Sequence, residues 1–254
     1  STAAASRVLP QPAARGAALM AVPSPEAALG LLKRAQARIG EGVSAFELIG
    51  HMGFDFLAEV GLEVRQPFEN IPEWCWLIDL GLSHGSPEDA LEGLFADAFE
   101  AGLVSDGVVA QSEAQRAEFW AIRESIPEAN RRIGSVSSHD ISVPVAAIPD
   151  FIATAPGRLA EINTFRINCF GHLGDGNLHY NVFPMPRRSR ADHEHERQAV
   201  KTCIHDLVHE MGGSVSAEHG IGRLKVHDLE RYGDPGKLAA MRAIKAALDP
   251  KGIL

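Results

Sequence analysis

The chain lacks any apolar run of the roughly 20 residues that a membrane-spanning helix needs. Its small, Ala-rich N-terminus also lacks the charged and apolar regions of a secretory signal. Cysteine is scarce. Cys75, Cys169 and Cys203 are far apart, odd in number and set in apolar stretches, which indicates buried reduced thiols rather than a disulfide framework. A reducing compartment and a cytoplasmic location are the expectations. Positive charge is in deficit: 24 Lys and Arg stand against 33 Asp and Glu, for a net charge of −9. Nucleic acid is therefore not an expected partner, although a local basic pocket for a small anion is not excluded. No glycine-rich loop follows a strand in the manner of a nucleotide-binding motif: Gly171–Gly176 reads as a hairpin turn and Gly220–Gly222 as a short turn.

What is present is a globular chain of 254 residues, 45% hydrophobic, enough for one large domain. Residues 1–14 read as a tail or linker and 15–254 as the domain. Strands are expected at 16–22, 43–49, 74–82 and 107–111, with helices at 24–39, 51–60 and 86–101 between them. Ser24-Pro25-Glu26 and Ser86-Pro87-Glu88 are helix starts, with proline at the first helical position and an acid in the first turn. A helix at 112–132 leads to a second series: strands at 139–145, 164–172, 177–183 and 213–217, and helices at 147–161 and 190–211. Helices at 221–231 and 235–248 finish the chain. The expected fold is α+β: two ferredoxin-like βαββαβ halves forming one large antiparallel sheet, with helices on one face.

The most informative segment runs from Cys169 to Val182. Asp175-Gly176 lies between two alternating runs, a strong hairpin signal. With those two residues as the turn, His172 faces His179, and opposed Cβ atoms are about 4.5–5.5 Å apart. The two imidazoles then point the same way at chelating distance, with Asn181 on the same face. Ile167, Cys169, Leu173, Leu178, Tyr180 and Val182 fall on the other face, toward a core.

Glu218 and His219 sit in a glycine-flanked turn, where both side chains can reach one pocket. His172, His179 and Glu218 make a two-histidine, one-carboxylate set that suits Zn²⁺, Mn²⁺ or Fe²⁺ and leaves positions open for substrate. His219 then remains as a base, while the plainer reading of Glu218-His219 is a polar turn. Arg123, set among Phe119, Trp120, Ile122 and Ile126, has the geometry to bind a carboxylate, or else pairs with Glu118 or Glu124 along its helix. His205 and His209 are expected on the solvent side of their helix, and Lys225 either neutralises a ligand charge or is an exposed lysine.

Four motifs, Trp120–Glu124, Asp140–Pro144, Gly171–Asn181 and Glu218–Gly222, occur in an order that resembles the C-terminal domain of the FAD-linked oxidases. That family includes D-2-hydroxyglutarate dehydrogenase, D-lactate dehydrogenase and the glycolate oxidase flavin subunit. The resemblance covers residue 15 to Leu254. It implies His172, His179 and Glu218 as ligands of a divalent metal (zinc foremost), His219 as the catalytic histidine, and Arg123 and Asn181 as substrate-binding residues. It further implies oxidation of a small 2-hydroxy acid to a 2-oxo acid, with the hydroxyl proton passing to His219 and hydride passing to FAD.

The FAD-binding domain is expected outside this chain, which then reads as a piece of a longer protein that does not turn over substrate alone. The electron acceptor is undefined, and a homodimer is compatible with the resemblance. One departure stands out. In the 2-hydroxyglutarate enzymes a lysine two residues before the Asp140 position helps to hold the distal carboxylate. Here that position is Ser138, followed by His139, so substrates without a second carboxylate are expected. Two rival readings use the same residues: a metal-dependent hydrolase, which needs no flavin, and a non-catalytic metal-binding module.

Overall fold

The computed structural model describes residues 11–253, so residues 1–10 of the expected tail lie outside the described residues. The first half contains β1 (Ala14–Val22), α1 (Pro25–Ile39), β2 (Val43–Gly50), α2 (His51–Glu59), β3 (Trp74–Leu82), α3 (Pro87–Glu100) and β4 (Asp106–Val109). The helix α4 (Glu113–Ile133) crosses to the second half, formed by β5 (Ser137–Ser142), α5 (Ile148–Ala160), β6 (Arg166–His172), β7 (Asn177–Phe183) and α6 (Arg197–Glu210). Two further helices follow, α7 (Val226–Tyr232) and α8 (Pro235–Leu248). Helix starts follow local chemistry. Ser24 Oγ accepts from Ala27 N at 3.2 Å and Ser86 Oγ from Asp89 N at 3.0 Å, each satisfying an amide the helix leaves free.

The strands form one antiparallel sheet in the order β4-β1-β3-β2-β6-β7-β5. The first four repeat the split βαβ order, and β6-β7-β5 repeats it in reverse. The two halves therefore meet edge to edge at β2 and β6, where Glu47 lies opposite His172. The strand expected at 213–217 is reduced to one bridge, Ser142 to Ser214. The hydroxyl of Ser214 donates to Ser216 O at 2.9 Å and accepts from Ser216 N at 3.3 Å, which interrupts the ladder, and the chain next meets β5 through Ala217 N donating to Asp140 O at 3.2 Å.

The α+β duplication is as expected, but the helices are not confined to one face. Ala18, Met20, Trp76 and Ile78 face one core, which also takes in the inner faces of α1, α3, α5 and α6. Ala17, Leu19, Ile49 and Leu77 point the opposite way, into a second core with Phe54, Phe56 and Leu57 of α2 and Phe119, Ile122 and Ile126 of α4. The cause is visible in β1 and β3, which are near-continuous apolar runs rather than alternating ones. Such strands must be covered on both faces, and each large side chain buried this way contributes about 1.5–3 kcal/mol.

The helix expected at 190–211 splits into a 3-10 turn, Arg190–His193, and α6. His205 of α6 is not on the solvent side: it is 2% exposed, because α7 brings Asp228 to 3.2 Å from its Nδ1 and Tyr232 packs against its ring. His209, as expected, is exposed. The thiols of Cys75 and Cys169 are buried and that of Cys203 half-buried, all unpaired.

His139 of β5 is buried against His205, their ring centroids 5.2 Å apart, and neither ring nitrogen has a hydrogen-bond partner among the described residues. Burial, reinforced by His205, Lys225 and Lys201, holds its pKa well below the usual imidazole range. On acidification the unfolded chain therefore binds this proton first. The neutral ring contributes stability that is fully present above about pH 6.5, and this declines as the pH falls toward the folded pKa, by about 1.4 kcal/mol per pH unit. Urea denaturation between pH 7 and pH 5 should show that decline, and His139→Leu should flatten it. An unchanged slope in the variant would refute the assignment.

Candidate functional site

The hairpin β6–β7 and the turn at 216–222 converge beside the β2–β6 seam. The hairpin register differs from the expected one by two residues: His179 pairs with Phe170, not with His172. The turn holds four residues, Leu173–Gly176, because it is pinned on both sides. Leu173 N donates to Phe46 O at 2.9 Å, and Asp175 Oδ1 accepts from Asn177 N at 3.1 Å. Gly176 has φ 82° and approaches Val143 O so closely that a Cβ would lie 2.1 Å from it. A shift of two preserves the side on which every residue lies. His172 and His179 therefore still share a face, now diagonally, with ring centroids 6.0 Å apart.

One ligand atom each from His172, His179 and Glu218 lies within 4.8 Å of the others. The second nitrogen of His172 is already committed: Nδ1 is hydrogen-bonded to Glu47 Oε1, while Nε2 lies 2.9 Å from Glu218 Oε1. Glu47 is 1% exposed, and its other oxygen accepts from Arg123 Nε at 2.8 Å. Burial pushes its carboxyl pKa up, but the His172 hydrogen bond and the Arg123 charge outweigh that and hold it below the usual range. The same contact raises the His172 pKa. His179 is shifted the other way, by burial first and then by Arg123, so its ring is held neutral, the form that binds metals.

Asp140 is the second buried carboxylate. Its Oδ2 accepts from Glu218 N at 2.9 Å and His219 N at 2.8 Å, and Oδ1 accepts from Asn177 Nδ2 at 2.9 Å. It lies 3.6 Å from His219 Nδ1 and 4.0 Å from His179 Nδ1. These contacts overcome the burial that would raise its pKa and leave it lowered. Asp140 thus fixes the backbone of the turn that carries Glu218 and His219. Lys225 closes the turn from behind, donating to Val215 O at 3.0 Å and Ser216 Oγ at 3.2 Å. It is half-buried, not an exposed lysine.

His219 stacks on His179 with centroids 6.2 Å apart, and its side chain is 69% exposed. A cavity of about 410 Å³ opens beside them, lined also by Asn181, Phe170, Ser138 and Arg190. Asn181 thus stands where the sequence places it. His139 packs on His205 on the opposite side of the sheet and is not among the residues that line the cavity. Arg123 is packed beneath the site, its guanidinium carbon 4.6 Å from the centroid of Phe170. Its partner is Glu47 of β2, neither Glu118 nor Glu124. Its two terminal nitrogens make no hydrogen bond among the described residues.

Sequence reading missed Glu47 and gave Asp140 no role. Glu47 is the one charged residue of a mostly apolar strand, Val43–Gly50, and that isolated acid was the available signal. Asp140 lies within the Asp140–Pro144 motif, but its contacts with residues 218 and 219 depend on the fold.

No described helix is long and apolar enough to cross a membrane. The model of the family described as FAD linked oxidases, C-terminal domain, matches residues 11–254. D-2-hydroxyglutarate dehydrogenase, mitochondrial, of Arabidopsis thaliana is 35% identical over 226 residues, which is 88% of this chain and 39% of that protein. D-2-hydroxyglutarate dehydrogenase of Xanthomonas citri pv. viticola is 34% identical over 93% of this chain and 49% of its own length. The chain therefore spans less than half the length of either relative. A crystal structure of p-cresol methylhydroxylase with substrate bound superposes with a TM-score of 0.64 over 97% of this chain and 52% of that one, at 14% identity, a likeness of fold. On the family match and on both relatives, the chain belongs to the C-terminal domain family of the FAD linked oxidases.

Proposed function

We propose that this chain is the substrate- and metal-binding part of an FAD-dependent dehydrogenase that oxidises a small D-2-hydroxy acid to the 2-oxo acid. The observation that carries the reading is the convergence of His172, His179 and Glu218, whose ligand atoms lie within 4.8 Å of one another beside His219. The donor set fits a divalent ion, zinc foremost. Glu47 leaves only Nε2 of His172 to face such an ion, and His179 is held neutral. A metal bound there would supply Lewis acidity toward the hydroxyl and carboxylate, and FAD, held mainly by a separate domain, would accept the hydride.

The residues divide the remaining work. His219, exposed at the cavity mouth, accepts the hydroxyl proton, and Asp140 fixes its backbone and lies beside Nδ1. Arg123 lies beneath the cavity rather than in its wall, and its two terminal nitrogens, without hydrogen bonds among the described residues, are suited to a substrate carboxylate that reaches them; Asn181 contributes an amide to the cavity wall. The exposed His219, with Gly220 and Gly222 leaving open space beside it, suits the approach of a planar ring. A hydrolase would use the same three ligands, but it has no need of a buried arginine next to them.

The deciding experiment is turnover with an artificial electron acceptor. D-2-hydroxy acids should be oxidised when the chain is joined to a flavin-binding domain, and not by the 254 residues alone. Ester or amide cleavage by the metal-loaded chain without flavin would overturn the reading. Both relatives named above are 2-hydroxyglutarate dehydrogenases, yet Ser138 stands at the cavity wall where the resemblance expects a lysine. Acids with an uncharged tail should therefore show the higher kcat/KM, and a clear preference for 2-hydroxyglutarate would contradict that.

Elemental analysis should find one divalent ion per chain and little in His179→Ala. Glu47→Gln should weaken metal affinity by about 10–100-fold in chelator competition, because it releases the orientation of His172. Equal metal content in all three proteins would remove the assignment. Arg123→Lys keeps the charge but loses the fork geometry. Its kcat/KM should fall by an amount equivalent to about 2–4 kcal/mol, whereas unchanged kinetics would make Arg123 a purely structural partner of Glu47.

A further inference from the structure

The chain is acidic, yet its cations are not evenly spread. Arg190, Arg197, Lys201 and Lys225 all line one cleft of about 490 Å³, with Glu194 the one carboxylate among the lining residues. The cleft lies between α6 and residues 135–138, which include the start of β5, the last strand of the sheet. Position 194, the neighbours 197 and 198, and positions 201 and 205 follow at steps of three or four residues, so α6 and Glu194 just before it present one face to it, with Arg190 of the 3-10 turn beside them. His205, almost fully buried, and Lys225 also line it, as do residues 135–138, with the Ser135 and Ser138 hydroxyls hydrogen-bonded to each other at 2.7 Å.

The cations are only partly neutralised within the protein. Lys201 pairs with Asp228 at 2.6 Å, and Asp228 is shared with His205. Arg197 approaches Glu194 no closer than 3.8 Å, too long for a hydrogen bond. Lys225 donates to uncharged oxygens, and Arg190 has no carboxylate within ion-pair distance among the described residues. Like charges gathered in a concave site repel one another until an anion enters, and a multiply charged oxyanion satisfies several donors at once. The volume is that of a small-molecule pocket rather than of a macromolecular docking face.

We infer that this cleft is a binding site for a compact oxyanion of two or more negative charges, a phosphate ester or a polycarboxylate, separate from the metal and hydroxy-acid site. Ser135, Ser138 and Arg190 line both this cleft and the catalytic cavity. An anion held here adjoins the substrate, so occupancy is felt in substrate affinity.

The test is calorimetric titration of the chelator-treated protein with inorganic pyrophosphate and, separately, with citrate, at matched ionic strength. Saturable binding of at least one is expected, and the two titrations distinguish the phosphate from the polycarboxylate source. Arg197→Glu, at an exposed position, should weaken binding by roughly tenfold or more, because it replaces a charge-assisted contact with a repulsive one. Glu194→Gln should strengthen it, and thermal denaturation should show both variants folded. Absence of saturable binding would overturn the site, as would an affinity unchanged by Arg197→Glu. Binding that requires restored metal would place the anion at the three ligands instead, and would also overturn it. Since the titration uses neither metal nor flavin, its outcome is independent of the proposed dehydrogenase activity.

Discussion

A carboxylate with almost no access to water, Glu47, joins the two halves of the molecule. Burying a lone charge costs several kcal/mol, and the cost is offset only when partners meet the carboxylate in good geometry. Glu47 has two: Arg123 from the connecting helix, and His172 from the strand that begins the seam between the halves. The seam itself is short, with three residue pairs between β2 and β6. The ion-paired triad therefore locks together elements whose backbone contact is modest. It also orients His172, whose other ring nitrogen meets Glu218, so one buried acid serves both the seam and the histidine–carboxylate cluster.

Asp140 plays the corresponding part for the turn at 216–222. The regular strand has ended there, and backbone amides would otherwise be left without partners. Asp140 accepts two of them, and Lys225 ties the carbonyl side. The turn thus holds Glu218 and His219 on a strand-anchored carboxylate rather than on a loop's own contacts. A pair of carboxylates, one per half, gives the site its framework, while His219 stays exposed at its edge.

The same sheet separates three environments by alternation. Odd positions of β5 and β6 (His139, Ile141, Cys169) point into the core toward α5 and α6. Even positions (Ser138, Asp140, Phe170, His172) point to the cavity side. The cationic cleft lies against residues 135–138, which also border the cavity. Acidic overall charge coexists with a basic cleft because α6 and the turn before it gather Arg190, Arg197 and Lys201 on one face.

Sequence alone determined most of the element order, though not the loss of the strand at 213–217 or the break before α6, together with the duplicated α+β plan and the face shared by His172, His179 and Asn181, because these follow from local periodicity, and a two-residue error in register leaves periodicity of two untouched. It also located Glu218 and His219, since a glycine-flanked acid and histidine stand out locally. It did not determine that both faces of the sheet carry helices, that His205 is buried, or that Arg123 is held by Glu47. Those outcomes depend on which distant surface covers which residue. Residues 47, 123 and 172 are remote in sequence and adjacent only because β2 and β6 pair across the seam. Tertiary structure alone could decide that contact, because the free energy that selects it comes from satisfying a buried charge, a requirement that does not exist until the chain has folded around it.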